Sequence, residues 1–287
     1  MKRILICGAN SFVACGFKEL LVRKGFEVEE FSRGCRPERD GFRIRGAYLE
    51  IADNPCLAGE YDEVINFAVL KDQSIDDNIR YIDSLLKMCA ARKVKKLIHF
   101  SSIMVYNREN KVVSELTPIE SSEKTIMKGY GLIKIATDEY LTKMAPAYDV
   151  EIVRVRPGFI LAPGMACPFI KRLVGPFSVI LGNKKSTMPI VKREEVHKAL
   201  LRIIETEDNL PVYMLYPDDG MTKFAYARKT VGGILITLPK PVFEGIPRLM
   251  AGIHVMPGAL YSRFEGMFTQ INYRSAETEK KLKIKFS

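Results

Sequence analysis

The chain has 287 residues, 47% hydrophobic and 27% charged, enough to bury a large core as one composite domain or two lobes, while its longest apolar stretches (Gly232 to Leu238, Leu249 to Tyr261) fall far below the roughly 20 residues a membrane-spanning helix needs. Six cysteines (Cys7, Cys15, Cys35, Cys56, Cys89, Cys167) without a CxxC pair and three scattered histidines argue against a zinc site and for reduced thiols in a cytoplasmic protein. The net charge of +10 lies almost wholly in residues 151–287, with 21 Lys and Arg against 12 Asp and Glu, whereas residues 1–150 carry 23 against 22; such a surface attracts a nucleotide diphosphate, a nucleic acid or an anionic membrane, or is simply solvated.

Met1-Lys2-Arg3, the apolar run behind it and Phe12-Val13-Ala14-Cys15 imitate a secretory signal, but Gly8, Asn10 and Ser11 interrupt the run and suit a phosphate-binding turn. Strands are expected at Arg3 to Cys7, Glu27 to Phe31, Phe42 to Arg45, Glu63 to Phe67, Lys96 to Ser101 and Glu151 to Val155. Phe12 to Lys24, Asp76 to Arg92 and Tyr130 to Met144 carry apolar residues at helical spacing. Short strands alternating with helices indicate stacked βαβ units, hence an α/β fold with a doubly wound parallel sheet. After Pro157 the pattern loosens into a Pro/Gly-rich passage, a helix near Arg193 to Glu205, a strand at Val212 to Tyr216 and a polar helix around Ser275 to Leu282.

Immediately after the first strand comes Gly8-Ala9-Asn10-Ser11-Phe12-Val13-Ala14. Backbone N–H groups at such a turn bind a pyrophosphate, and small residues are needed where the backbone approaches it. The spacing resembles the GxxGxxG of short-chain dehydrogenases, with Gly8 the one glycine kept; Gly8, Asn10, Ser11, Phe12 and Val13 are the expected cofactor contacts. At the end of the second strand an acid would accept the ribose of NAD, and an arginine the 2′-phosphate of NADP. Phe31-Ser32-Arg33 stands there, so Arg33 favours NADP over NAD. Residues 1–160 then read as a Rossmann-like dinucleotide-binding domain, and 161–287 as a smaller, mixed substrate lobe with some of the chain crossing back.

Tyr130 and Lys134 share one helix face, where a cationic lysine could lower the phenol below its usual pKa near 10. With 12 tyrosines and abundant lysine, about one such pair arises by chance. The context is more specific. The fifth strand ends in His99-Phe100-Ser101-Ser102-Ile103-Met104-Val105-Tyr106, and Tyr130 follows Ser102 by 28 residues. This combination resembles the extended short-chain dehydrogenase/reductase family, the NAD-dependent epimerase/dehydratase group, whose SSxxVY strand end supplies a substrate-binding serine and whose YxxxK supplies the base. Val64 to Lys71 is similar to the fourth-strand segment of the family's nucleotide-sugar 4-epimerases, which implies Ala68 and Lys71 at the cofactor. Asn78 and the Arg156-Pro157-Gly158 passage also match, so Asn78, Ser101 and Pro157 are implied as further cofactor contacts. The resemblance covers roughly residues 2 to 205.

The departures are informative too. Phe159 stands where many members have a substrate-contacting Asn, and Ala162 replaces a glycine. Ile103 and Met104 replace the Asp-Glu pair of 4,6-dehydratases, so water elimination is not expected. The resemblance implies hydride transfer at a carbon of a sugar, an anionic nucleotide-sugar, with Tyr130 as acid/base, Lys134 holding the nicotinamide ribose and Ser102 the reacting oxygen. Epimerase and reductase share that machinery. A non-sugar carbonyl substrate, or a non-catalytic protein binding RNA or a partner, are the alternatives; nucleic acid is the less favoured partner because Tyr130 and Lys134 are both present. Relatives dimerise, which implies a homodimer. His99 and His254 sit in apolar patterns and read as packing residues, Lys124 and Lys128 as loop residues. The Met-rich Leu249 to Tyr261 stretch reads as packing, over the substrate pocket or at an interface.

Overall fold

The structure is a computed structural model that describes residues 1–287 except Arg108, Ile126, Pro168, Val174, Leu181, Gly232 and 238–269. His254 and the Met-rich Leu249 to Tyr261 stretch therefore lie outside the described residues. The strands are β1 (Arg3–Cys7), β2 (Glu27–Arg33), β3 (Glu38–Asp40), β4 (Arg43–Gly46), β5 (Glu63–Asn66), β6 (Lys96–Phe100), β7 (Val112–Val113) and β8 (Glu151–Pro157). They continue with β9 (Phe159–Leu161), β10 (Ile170–Arg172), β11 (Phe177–Ile180), β12 (Ile190–Lys192), β13 (Val212–Leu215), β14 (Ile234–Thr237) and β15 (Asn272–Tyr273). The helices are α1 (Phe17–Arg23), α2 (Ile75–Ala91), α3 (Tyr130–Met144), α4 (Arg193–Glu205), α5 (Lys223–Thr230) and α6 (Ala276–Leu282). No helix among the described residues is long and apolar enough to cross a membrane.

Eight strands form the central sheet in the order β13-β8-β6-β5-β1-β2-β4-β3, parallel throughout except for β3 against β4. Strands covered on both faces become continuous apolar runs, and β5 and β6 are buried along their whole length. From β1 the chain winds outward through β2 on one side and through β5 and β6 on the other. Such a reversal opens a crevice at the carboxyl ends of β1 and β5, where open α/β sheets bind their ligands.

Helix α2 shows why these segments are helical. The Ser74 hydroxyl caps it by accepting from Asp77 N at 3.0 Å, Asp76 and Asp77 oppose the helix dipole, and Tyr81, Ile82, Leu85, Leu86 and Cys89 form its buried stripe. The first helix starts later than its periodicity suggests, at Phe17 rather than Phe12. Residues 8–17 instead form three successive turns, Ser11 N to Gly8 O (2.9 Å), Ala14 N to Ser11 O (3.1 Å) and Phe17 N to Ala14 O (2.9 Å). Gly16, at φ +82°, closes them and is incompatible with a continuous helical ladder.

The chain after residue 160 packs in two places. A small sheet, β10-β11-β14, packs one face on α5 through Ile170, Ile180, Leu235 and Ala227. However, α4, β13 and α6 return to the main sheet, where Val196, Leu200, Ile203, Tyr213, Leu215 and Leu282 join one core with Ile4, Ile6 and Phe17. Full burial of each such aliphatic side chain is worth about 1.5–3 kcal/mol, so the returning segments are structural parts of the first domain.

Candidate active site

At the carboxyl edge of the sheet lies a cleft of about 710 Å³. One side is the loop after β1. Gly8 donates its N–H to Phe31 O at 2.9 Å and sits at φ +82°, and a Cβ there would stand 2.6 Å from Ala68 N. Ser11, Phe12 and Val13 follow along the cleft wall. Among the described residues the N–H groups of Phe12 and Val13 meet no acceptor, so both are available to a phosphate. The Val13 carbonyl is already engaged, 2.7 Å from Nε2 of His197 on α4. A Gly8→Ala substitution is expected to cost about 1–3 kcal/mol of stability, because it strains both the φ and the Ala68 contact; urea unfolding measures it.

Arg33, exposed at the end of β2, lines the same cleft, as do Ala68 and Lys71 beyond β5. The opposite wall is Ser101 and Ser102 after β6, Tyr130 and Lys134 at the start of α3, and Pro157 at the end of β8. Two expected cofactor residues are placed otherwise. Asn10 is exposed and does not line the cleft. Asn78 is buried, and its amide is taken up by Leu70 N (2.9 Å), Leu70 O (3.0 Å) and Ser74 O (2.8 Å). It shapes the loop that carries Lys71 instead of facing the cleft.

The geometry around Tyr130 is that of a phenol between two amines. Lys71 Nζ and Lys134 Nζ lie 5.7 and 5.8 Å from its ring centre. Lys134 is buried and donates to the Phe100 carbonyl. Burial pushes its ammonium down to about 8 against the opposing pull of Asp138, with Lys71 adding to the fall. Burial, then Asp138, pushes the Tyr130 phenol up to about 12. Burial thus opposes the lowering of this phenol that the sequence leads one to expect from Lys134. Ser102 accepts from Met104 N at 3.2 Å, which leaves its hydroxyl hydrogen free to donate.

Beneath these residues lies a buried polar cluster that the sequence did not announce. Asp138, fully buried on α3, accepts from Ser101 Oγ at 2.8 Å and from Arg156 Nη2 at 2.9 Å, and Arg156 Nη1 donates to Tyr106 at 2.7 Å. His99 Nδ1 meets the Asn66 amide at 3.2 Å, and burial holds the ring well below its ordinary pKa, hence neutral. His99 is thus a packing residue of the sheet, as expected. The available signal was Asp138 itself, four positions after Lys134 on the buried face of α3.

On the outer side the wall is aromatic and apolar. Phe159 meets Phe169 edge-on with ring centres 5.9 Å apart, and Met104 and Met165 complete it. Gly158 is required beside them, since a Cβ there would lie 2.1 Å from Pro189 O.

Comparison with known proteins agrees with this architecture. Residues 4–216 match the model of the NAD dependent epimerase/dehydratase family. A UDP-glucose 4-epimerase from Vibrio cholerae is 25% identical over 210 residues, 66% of this chain and 63% of the length of that relative. Among solved structures, a short-chain dehydrogenase/reductase superfamily protein from Agrobacterium tumefaciens with bound NAD superposes with a TM-score of 0.70 at 15% identity, covering 99% of this chain and 92% of the other. A UDP-glucuronic acid 4-epimerase from Bacillus cereus in complex with NAD gives 0.66 at 14% identity, covering 99% and 91%.

Proposed function

The chain belongs to the NAD dependent epimerase/dehydratase family, and from that premise we propose that it moves a hydride to and from a carbinol carbon of a nucleotide-activated sugar, as an epimerase. The observation that carries this reading is convergence: the Gly8 turn, Lys71, Ser102, Tyr130 and Lys134 line one cleft at the switch point of the sheet. The cleft's volume falls within the range usual for cofactor and ligand sites.

A nicotinamide dinucleotide held along the Gly8 turn, Lys71 and Lys134 would supply the hydride acceptor and donor. Tyr130 takes the proton of the carbinol oxygen as the C–H bond breaks, and returns it when the carbonyl is reduced on its opposite face. Ser102 donates its free hydroxyl hydrogen to that oxygen. Lys134, held by the Phe100 carbonyl, supplies the nearby positive charge that favours phenolate. With Ile103 and Met104 after Ser102, no side chain there offers the acid-base pair needed to expel water.

The reading is tested by incubating the protein with UDP-glucose and NAD and following UDP-galactose formation, alongside mass spectrometry of the cofactor that co-purifies. Retained NAD with interconversion supports an epimerase. Exchangeable NADPH with one-way reduction supports the second reading, a reductase, which the exposed Arg33 at the ribose end of the cleft favours. Under either reading, Arg33→Asp is expected to shift the preference towards NADH by about tenfold or more, through loss of a charge-assisted phosphate contact. Titration with NADH and NADPH reads it, and an unchanged ratio would remove the case for NADP.

A further inference from the structure

The small sheet β10-β11-β14 carries apolar residues on both faces. One face, with Ile170, Ile180 and Leu235, packs on Ala227 of α5. On the other, strand register sets Leu173, Phe177 and Ile234 in one row and Lys171, Val179 and Ile236 in the next. Leu173 joins its row because its N–H donates to Phe177 O at 2.9 Å. Val179 at the centre is buried, whereas Leu173, Phe177, Ile234 and Ile236 around it are 51%, 40%, 54% and 37% exposed. A strand with one face in water alternates apolar with polar residues, and a strand covered on both faces is apolar throughout. β14, Ile-Leu-Ile-Thr, is of the second kind. Four large apolar side chains exposed side by side mark a contact surface, unlike single ones scattered over a protein.

Charge decides what covers this face. Residues 170–190 and 220–237, which carry the sheet and α5, hold seven Lys or Arg and no Asp or Glu. Lys171 lies on the exposed face itself, and Arg172 is exposed at its edge. A second copy of the chain seated there would set two such cationic surfaces against each other. A nucleic acid would satisfy the cations but leave Phe177, Ile234 and Ile236 against a polyanion. A surface both apolar and anionic satisfies both demands, and an anionic lipid bilayer is one: apolar side chains enter its acyl boundary while lysines meet the headgroups. We infer that this face docks the protein peripherally on an anionic membrane surface. β10 begins at the residue after Phe169 of the cleft wall, so the docked face adjoins the cleft. Docking of this kind is independent of the substrate.

The test is vesicle flotation of the full chain, with phosphatidylcholine alone and with phosphatidylcholine mixed with phosphatidylglycerol. The protein is expected to float with the mixed vesicles and to stay behind with pure phosphatidylcholine. Phe177→Thr combined with Ile234→Thr, which puts β-branched residues in the strands, should weaken that binding about tenfold or more. Lys171→Gln should weaken it about fivefold, the usual worth of one cation near an anionic leaflet. These substitutions alter exposed side chains, so the variants should melt with the wild type and keep its NAD affinity. The chain holds no Trp, so Phe177→Trp places a single reporter on the face, and its emission should shift to the blue with mixed vesicles only. No flotation with the mixed vesicles would overturn the inference, and retention of an RNA oligonucleotide in their place would assign the cations to nucleic acid. Flotation that leaves the Phe177→Trp emission unmoved would also overturn it, since another surface would then hold the lipid. Binding that salt abolishes but Phe177→Thr with Ile234→Thr does not touch would reduce the face to a solvated basic surface. A wild-type dimer that the same pair of substitutions dissociates in light scattering would give the face to a second copy instead.

Discussion

Tyr130→Phe is expected to reduce turnover about 10²–10⁴-fold, the usual worth of a positioned acid/base, with NAD affinity within about twofold of wild type. Only the hydroxyl is deleted, while the ring keeps its place between Lys71 and Lys134. A nucleotide-sugar interconversion assay with a parallel fluorescence titration of NADH separates the two effects. Turnover at the wild-type rate would remove Tyr130 from the mechanism. Burial raises the phenol, so the mechanism relies on the neighbouring Lys134 and Lys71 charges to favour phenolate.

The second large effect concerns stability. Asp138→Ala should destabilise the fold by about 3–5 kcal/mol in urea, the loss typical when one member of a buried ion pair is removed. It leaves Arg156 buried without its carboxylate, and strips the Ser101 hydroxyl of its acceptor. The same substitution withdraws the group that holds the Lys134 proton in place, so any folded variant should also lose activity on the alkaline side first. Ser101→Ala, which deletes one hydrogen bond, is expected to cost only about 1 kcal/mol. A loss below that level for Asp138→Ala would mean that Arg156 finds another partner.

Much of the fold was legible because parallel strands are apolar throughout and helices carry caps and stripes. β1, α3 and α4 begin and end where periodicity places them, and β5 and β6 differ from expectation by one residue at the end. The loop from Gly8 to Gly16 was not, since its apolar spacing satisfies a helix while its turns are set by Gly16 and by the anchor on α4. The small β10-β11-β14 sheet also escaped notice, because strands of three or four residues carry too little alternation to be read. At the cleft, the residues that carry a motif, Ser102, Tyr130 and Lys134, come together. Residues that act by being buried together were not legible in the sequence: Asp138, Arg156 and Tyr106 are dispersed over 51 positions of sequence and meet only in three dimensions. Asn78 shows the converse, a motif residue whose amide the backbone has claimed.

The hydrogen bond between His197 and Val13 has a consequence for how the protein is made. The loop after β1, which we propose faces the cofactor phosphates, is held by a residue 184 positions later, and the sheet edge beside β8 is completed by β13. When the first 160 residues have left the ribosome, neither support exists. The proposed dinucleotide site is therefore expected to form late in synthesis, after residues 193–215 have emerged and docked, and an N-terminal fragment ending near residue 160 should hold cofactor poorly however complete its sequence motifs.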